Sequence, residues 1–427
     1  MNLMKSKVVK NAGWLIAGKL AQMVLSFFVG LITARYLGPS NYGLISYAGA
    51  YTTFFSALCT LGINSVLVKE FVDHPDGIGE TLGTTIVLRV ASSGLSVLMI
   101  AGISAFVDKA EPLTMLVVVL YSISLVFQVF EAFNYWFQYK LQSKYCSAAT
   151  LVAYIVVSAY KIVLLISKKD VAWFAISAAV DHVVIAAFLW LAYKRLNGPN
   201  LSVSWNKAKA ILGKSRHFIV AGLMVSIYAS TDKLMLKQLL SETEVGYYTT
   251  ATAICGLWVF VLSAIIDSMN PVIMQLYQKS QSRFRVLNKQ LYAIVFYISV
   301  AVSIGFVCFG KHIVWILYGE EFLLAVTPLK IITWYTAFSY LGVARNTWIV
   351  CENKQKYLKY LYLGAAVANV ILNALFIPKF GASGAAAASL ITQISTVLVF
   401  PVMIKELRPN AIMMLEAIAL KEVIKKR

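Results

Sequence analysis

The chain has 427 residues, of which 59% are hydrophobic and only 13% charged, and its mean hydropathy is +0.74. A soluble domain has no means of hiding that much apolar surface, since about a quarter of a typical soluble chain is charged. The net charge of +19 would suggest nucleic acid in a soluble protein, but apolar stretches near 20 residues recur throughout, the length a bilayer core of ~30 Å demands of a helix.

The N-terminus carries Lys5, Lys7 and Lys10 and then an apolar stretch from Ala12 to Ala34, too long for a signal-peptide core and without a small-residue cleavage site. It reads as a retained first span. Eleven more follow, giving spans over 12–34, 42–65, 82–106, 112–139, 146–166, 172–193, 217–239, 247–275, 291–310, 326–349, 360–377 and 384–404. Ten-residue strands of alternating polarity, the mark of a membrane barrel, are missing from the pattern. The expected fold is an all-α polytopic membrane protein with about 12 transmembrane helices in two parallel six-helix lobes.

The first two spans are joined by "ARYLGPSNYGLISYA". Gly38-Pro39 ends the first helix, because Pro cannot continue it and Gly tolerates the turn. Ser40 or Asn41 is placed to cap the next one. A faded copy, "QLLSETEVGYYTTATAI", lies 203 residues on and pairs Leu37 with Leu240, Gly43 with Gly246, Ala48 with Ala251 and Ala50 with Ala253. A shift of six spans preserves orientation, as in parallel internal repeats. Between the copies lies "YKRLNGPNLSVSWNKAKAILGKSR". The expected organisation is an N-terminal lobe 1–195, a basic cytoplasmic linker 196–216, a C-terminal lobe 217–404 and a tail 405–427, with an interfacial or folded-back helix over 411–426.

Lys and Arg set the orientation. The N-terminus, the loops 66–81, 140–145, 194–216, 276–290 and 351–359, and the tail hold 25 of them, against six in the opposite loops. The positive-inside rule then places both termini in the cytoplasm. The net charge is explained by topology and by attraction to anionic lipid, and no nucleic-acid partner is expected.

Charge at the bilayer centre costs at least ~2.5 kcal/mol, so intramembrane polar residues at helical spacing should face a wet interior or a partner. Span one has Lys19, Gln22 and Ser26; span three has Arg89, Ser92 and Ser96; span four has Gln128, Glu131 and Tyr135. Tyr154, Ser158 and Lys161 follow in span five, Ser177 and Asp181 in span six, and Ser226, Ser230, Lys233 and Lys237 beside Asp232 in span seven. Arg345 lies in span ten, and Asn369 and Asn373 in span eleven. Lys19, Arg89 and Lys233 fall ~10 Å inside at 1.5 Å per residue and are candidate cavity-lining cations, with structural ion pairs as the alternative. Lys161 and Arg345 are nearer a membrane face, where snorkelling competes with cavity lining, and the same choice holds for Arg35 between snorkelling and an outer gate. Asp181 and Asp232 are candidates for ion pairs or for a coupling proton. Glu131 and Asp267 sit nearer the cytoplasmic ends. Five widely spaced cysteines and four unpaired histidines give no metal or disulfide framework.

"ARYLGPSNYGLISYA", with "ILYGEEFLLA" at 316–325 and "FIPKFGASGAAAASLITQ" at 376–393, resembles the loop signatures of Wzx-type polysaccharide flippases of the multidrug/oligosaccharidyl-lipid/polysaccharide (MOP, MATE-like) superfamily. The resemblance implies a bacterial inner-membrane protein that carries an undecaprenyl-pyrophosphate-linked oligosaccharide from the cytoplasmic to the periplasmic leaflet for O-antigen or capsule synthesis. It implies no cofactor, leaves H⁺ or Na⁺ coupling open, and admits other polysaccharide-assembly proteins as partners besides membrane lipid. On that reading Lys19, Arg89, Lys233, Gln22, Ser230, Lys161 and Arg345 face pyrophosphate and glycan. A cation-coupled drug or metabolite exporter of the same fold is the competing reading, with Asp181 or Asp232 as its deep carboxylate. A membrane enzyme is disfavoured because the longest outer loop, 311–325, has no carboxylate pair or nucleophile–base arrangement.

Overall fold

A computed structural model describes residues 2–421, with side chains from Ser26 onward except that of residue 221. Among the described residues there is no strand, and ten helical segments are long and apolar enough to cross a membrane. Of the ten, Ser26–Asp73 takes in the end of the first expected span and all of the second, and Gln355–Met403 covers the last two almost completely, so the count agrees with about twelve.

The merging has a local cause. Helix α1 (Asn2–Thr60) passes through Gly38 at φ 69°, ψ 173°, and resumes at Pro39. Only a residue without Cβ takes that conformation cheaply, and Pro needs no N–H partner at the start of the next arm. Asn41 does not use its side chain to cap that arm: its Nδ2 donates to the Leu37 carbonyl at 3.2 Å, closing the arm before the kink.

The chain forms two compact units, residues 1–230 and 231–427. In the first, α2 (Asn64–Asp73), α3 (Ile78–Val107), α4 (Pro112–Ser122), α5 (Ser124–Gln128), α6 (Ala132–Tyr139), α7 (Lys144–Ile166) and α8 (Val171–Arg195) join α1. Span four is thus three short helices. One end is closed by an aromatic cluster of Phe71, Phe133, Trp136, Phe137 and Tyr193, with Tyr193 4.8 Å from the rings of both Phe133 and Trp136.

The basic linker expected over 196–216 is largely ordered against the first unit. Helix α9 (Trp205–Leu239) already starts within it, because Ala208, Ile211 and Ser215 recur at helical spacing and bury one face. Lys207 and Lys214 bind the buried Glu70 of α2 at 3.1 and 2.6 Å. The preceding stretch lies on α3: Ser204 N donates to Thr84 Oγ1 at 3.1 Å, and a Cβ at Gly79 or Gly83 would collide with the carbonyls of Asn200 and Ser202. Tyr193 Oη donates to the Pro199 carbonyl. The boundary between units falls inside α9 rather than in the loop.

The second unit holds the end of α9 with α10 (Glu242–Gly256), α11 (Val259–Lys279), α12 (Gln281–Tyr318), α13 (Val326–Cys351), α14 (Leu358–Ile394), a five-residue π turn (Ser395–Val399), α15 (Phe400–Met403) and α16 (Arg408–Ile418). Span eight starts earlier than its apolar run and breaks between α10 and α11. Helix α14 kinks at Gly381, φ 56°, where the carboxylate of Glu244 from α10 accepts the Ala382 N–H at 2.6 Å. The tail helix is shorter than the sequence suggests, and 422–426 lie outside the described residues. Helix α16 packs on α12: Asn410 Nδ2 donates to Tyr292 Oη at 2.8 Å, Tyr297 Oη donates to the Ile418 carbonyl at 2.6 Å, and Lys289 pairs with Glu416 at 2.7 Å.

Candidate functional sites in the two units

In the first unit the polar faces of several helices enclose a cavity of about 400 Å³. Thr52 and Ser56 face it from α1, Tyr121, Ser124 and Gln128 from α4 and α5, Tyr154 and Lys161 from α7, and Ser177, Asp181 and His182 from α8. Apart from His182, each set is spaced three, four or seven residues apart, so Gln128 of the span-four stripe meets Tyr154 and Lys161 of span five and Ser177 and Asp181 of span six, while Glu131 and Tyr135 do not line the cavity. Lys161 therefore does not snorkel: it lines this cavity with Asp181, and the two feel each other's charge. Asp181 Oδ1 is buried and has no hydrogen-bond partner. Beside it, His182 Nδ1 lies 3.0 Å from Glu131 Oε1.

Arg89, on α3, is 2% exposed, and its Nε and Nη1 have no partner. No carboxylate is within ion-pair distance among the described residues; the charge it feels is that of Glu131, with the side chains of Tyr135 and Cys59. Arg89 is not part of the cavity lining.

The second unit centres on Asp232, 8% exposed. Asn373 and Asn369 donate their amides to Oδ1 at 2.6 and 3.1 Å. Tyr248 and Ser389 donate their hydroxyls to Oδ2, the first at 2.5 Å. Four neutral donors from α10 and both arms of α14 thus saturate one carboxylate, and no Lys or Arg forms an ion pair with it among the described residues. Of the two roles open to Asp232, the ion pair is not formed among the described residues; the dipoles stabilise the carboxylate, whose charge the adjacent Lys233 feels. Lys233 is half-buried next to it. Ser230, the last residue of the first unit, is buried with an unpartnered Oγ.

Arg345 is 2% exposed and gives Nη1 to the Thr396 carbonyl at 3.1 Å, so it does not snorkel either. Arg35 is exposed beside the α1 kink. Lys19 and Gln22 lie among the residues whose side chains are not described. Sequence reasoning passed over Tyr248 and Ser389, and it discounted Glu131. Ser389 carries one signal, being the hydroxyl that interrupts the alanine run "GAAAASLITQ". A larger cleft of about 1500 Å³ lies between the start of α12, the end of α13 and the tail helix, and contains none of the Asp232 cluster.

An all-helical frame with ten membrane-crossing segments among the described residues, and charged residues buried in each unit, defines a polytopic membrane protein. The family model "Polysaccharide biosynthesis protein" matches residues 8–277, and the chain belongs to that family. It is 24% identical over 182 residues to a putative O-antigen transporter of Salmonella typhi, a match covering 40% of this chain and 42% of that protein. The match therefore spans less than half of that relative's length. Two solved structures share the fold. One is the lipid II flippase MurJ in an inward closed conformation, with TM-score 0.70, 14% identity and 96% and 94% of the two chains covered. The other is an inward-facing multidrug resistance MATE family transporter of the MOP superfamily, with TM-score 0.67, 16% identity and 92% and 96% covered.

Proposed function

We propose that this protein moves a lipid-linked oligosaccharide, carried on undecaprenyl pyrophosphate, from the cytoplasmic to the outer leaflet of a bacterial inner membrane by alternating access. Both termini lie in the cytoplasm on this reading. The observation that carries it is Arg89, a guanidinium buried in a membrane-spanning helix with two unpartnered nitrogens and no carboxylate within ion-pair distance among the described residues. Such a group is costly unless it has a task, and a diphosphate accepts the paired N–H donors of Arg with geometric specificity. Arg89 is covered in this conformation, so transport has to uncover it. Lys19 and Lys233 are the further cations assigned to the pyrophosphate, and Gln22 and Ser230 to its glycan. The named relative and the flippase of like fold support the reading.

Coupling to H⁺ or Na⁺ is assigned to Asp232. A carboxylate ringed by hydroxyl and amide dipoles, with no ion-pair partner among the described residues, can take a proton or a small cation without breaking a salt bridge. The same feature suits the alternative, a cation-coupled exporter of drugs or metabolites.

The test is complementation of a strain deleted for the gene. Changing Lys19, Arg89 and Lys233 together to Ala should abolish surface polysaccharide while the protein remains in the membrane. Normal polysaccharide from a stably inserted triple variant overturns the assignment. A drug-susceptibility panel on the deletion strain separates the exporter reading, which expects sensitisation with the polysaccharide unchanged.

A further inference from the structure

We propose that the cavity of the first unit is a sugar-reading subsite, in which one ring of the translocated glycan is held against Asp181 and Lys161. The inference rests on the flippase reading and adds to it where the glycan's identity is sensed.

Size comes first. At about 400 Å³ the cavity lies near the low end of small-molecule pockets, ~300–1,000 Å³. It has room for one sugar ring and its immediate water, and not for a whole oligosaccharide. The lining is the second argument. Asp181 Oδ1 is a buried acceptor with no donor, and a carboxylate accepts from two adjacent hydroxyls, the group sugars carry in abundance. Gln128 offers both donors and an acceptor, and Tyr154 and Tyr121 give the cavity aromatic rings with hydroxyl tips. Ser177 already donates to the Phe174 carbonyl at 2.6 Å, which leaves its oxygen free to accept. The pocket thus has acceptors to spare, as a polyhydroxylated guest requires.

Lys161 decides the guest's other end. It shares the cavity with Asp181 without closing into an ion pair with it. An ammonium so placed favours a ring bearing a carboxylate or an acetamido carbonyl. A purely cationic guest fits worse, because Lys161 repels it. Discrimination should be large, since a ring lacking the matched hydroxyl leaves Asp181 Oδ1 unpaired.

The test uses the purified full-length protein in lipid nanodiscs with four free sugars: D-glucose, D-galactose, N-acetyl-D-glucosamine and D-glucuronate. Saturation-transfer NMR and calorimetry should find saturable millimolar binding of at least one. Asp181→Asn should weaken it tenfold or more, and Lys161→Met should weaken an acidic or acetylated sugar more than a neutral one. Gln128→Leu provides a second variant should Asp181→Asn fail to fold. Absence of saturable binding of all four overturns the proposal, as does binding indifferent to both Asp181→Asn and Gln128→Leu. A sodium- or proton-dependent stabilisation lost in Asp181→Asn, without sugar binding, overturns it too and gives the cavity to a coupling ion. If the wild-type gene restores polysaccharide while sugar binding is absent, only this inference falls. If deletion leaves polysaccharide unchanged, the flippase reading falls as well.

Discussion

At the scale of single residues, Arg345 shows how a charge inside a membrane protein can serve the backbone. In the π turn after α14, the Phe400 N–H goes to the Ser395 carbonyl, one residue further back than in an α-helix. The next residue in that register, Pro401, has no N–H to give. The Thr396 carbonyl is therefore left over, and Arg345 Nη1 fills the place at 3.1 Å. A hydrogen bond from a charged donor contributes about 1.5–3 kcal/mol. Pro401→Ala should restore a backbone donor, so it should stabilise the Arg345→Met variant more than the wild type, by about 1 kcal/mol. Thermal melting of the four members of this double-mutant cycle in detergent measures the coupling. Equal effects of Pro401→Ala in both backgrounds would mean that Arg345 has another purpose.

At the scale of elements, the start of α9 is fastened to the first unit at several points. Lys207 and Lys214 straddle Glu70 on α2, and Ile211 between them enters the aromatic core of the first unit. Upstream, 199–204 is laid on Gly79 and Gly83 so closely that a methyl group at either would strike a carbonyl. The basic segment is a strap held on the first unit. Glu70→Gln leaves both ammonium groups without their counter-charge, a loss of about 1–3 kcal/mol. Because 1.4 kcal/mol is a tenfold change in population, local opening of the strap should rise about tenfold or more. Trypsin cleavage at Lys207, Lys209, Lys214 and Arg216 reports that opening. It should accelerate in Glu70→Gln, and in Gly83→Ala, where the backbone of 202 has to move aside. Unchanged cleavage in both variants would show that packing of Ile211 alone holds the strap.

At the scale of the whole molecule, the sequence made some things plain and hid others for a physical reason. Apolar run length reports spans directly, because the bilayer sets it, and Gly38-Pro39 announces its kink by chemistry alone. Periodicity also told which face of α7 carries Lys161 and which face of α8 carries Asp181. It did not tell that these faces enclose one cavity, since a helical period fixes a direction on a helix and not the neighbour in that direction. Asp232 makes the point more strongly: its four donors come from 16 to 157 residues away, and Tyr248 and Ser389 look like ordinary residues of apolar helices. The meeting of Glu131 with His182 was likewise hidden, because it depends on how the turn over 129–131 packs against α8. Orientation stands apart, since it is written in loop charge and needs no packing. With 25 Lys and Arg in the loops expected inside and six in those expected outside, the positive-inside rule gives a definite expectation for every span. In a chain with Cys59, Cys146, Cys255, Cys308 and Cys351 changed to Ser, a membrane-impermeant maleimide should label Lys109→Cys in intact cells. It should label Lys140→Cys only after the membrane is permeabilised; both positions are exposed. The opposite pattern would put the basic loops outside. It would also place the strap, the tail helix and both termini at the outer leaflet, against the cytoplasmic placement in the proposed function.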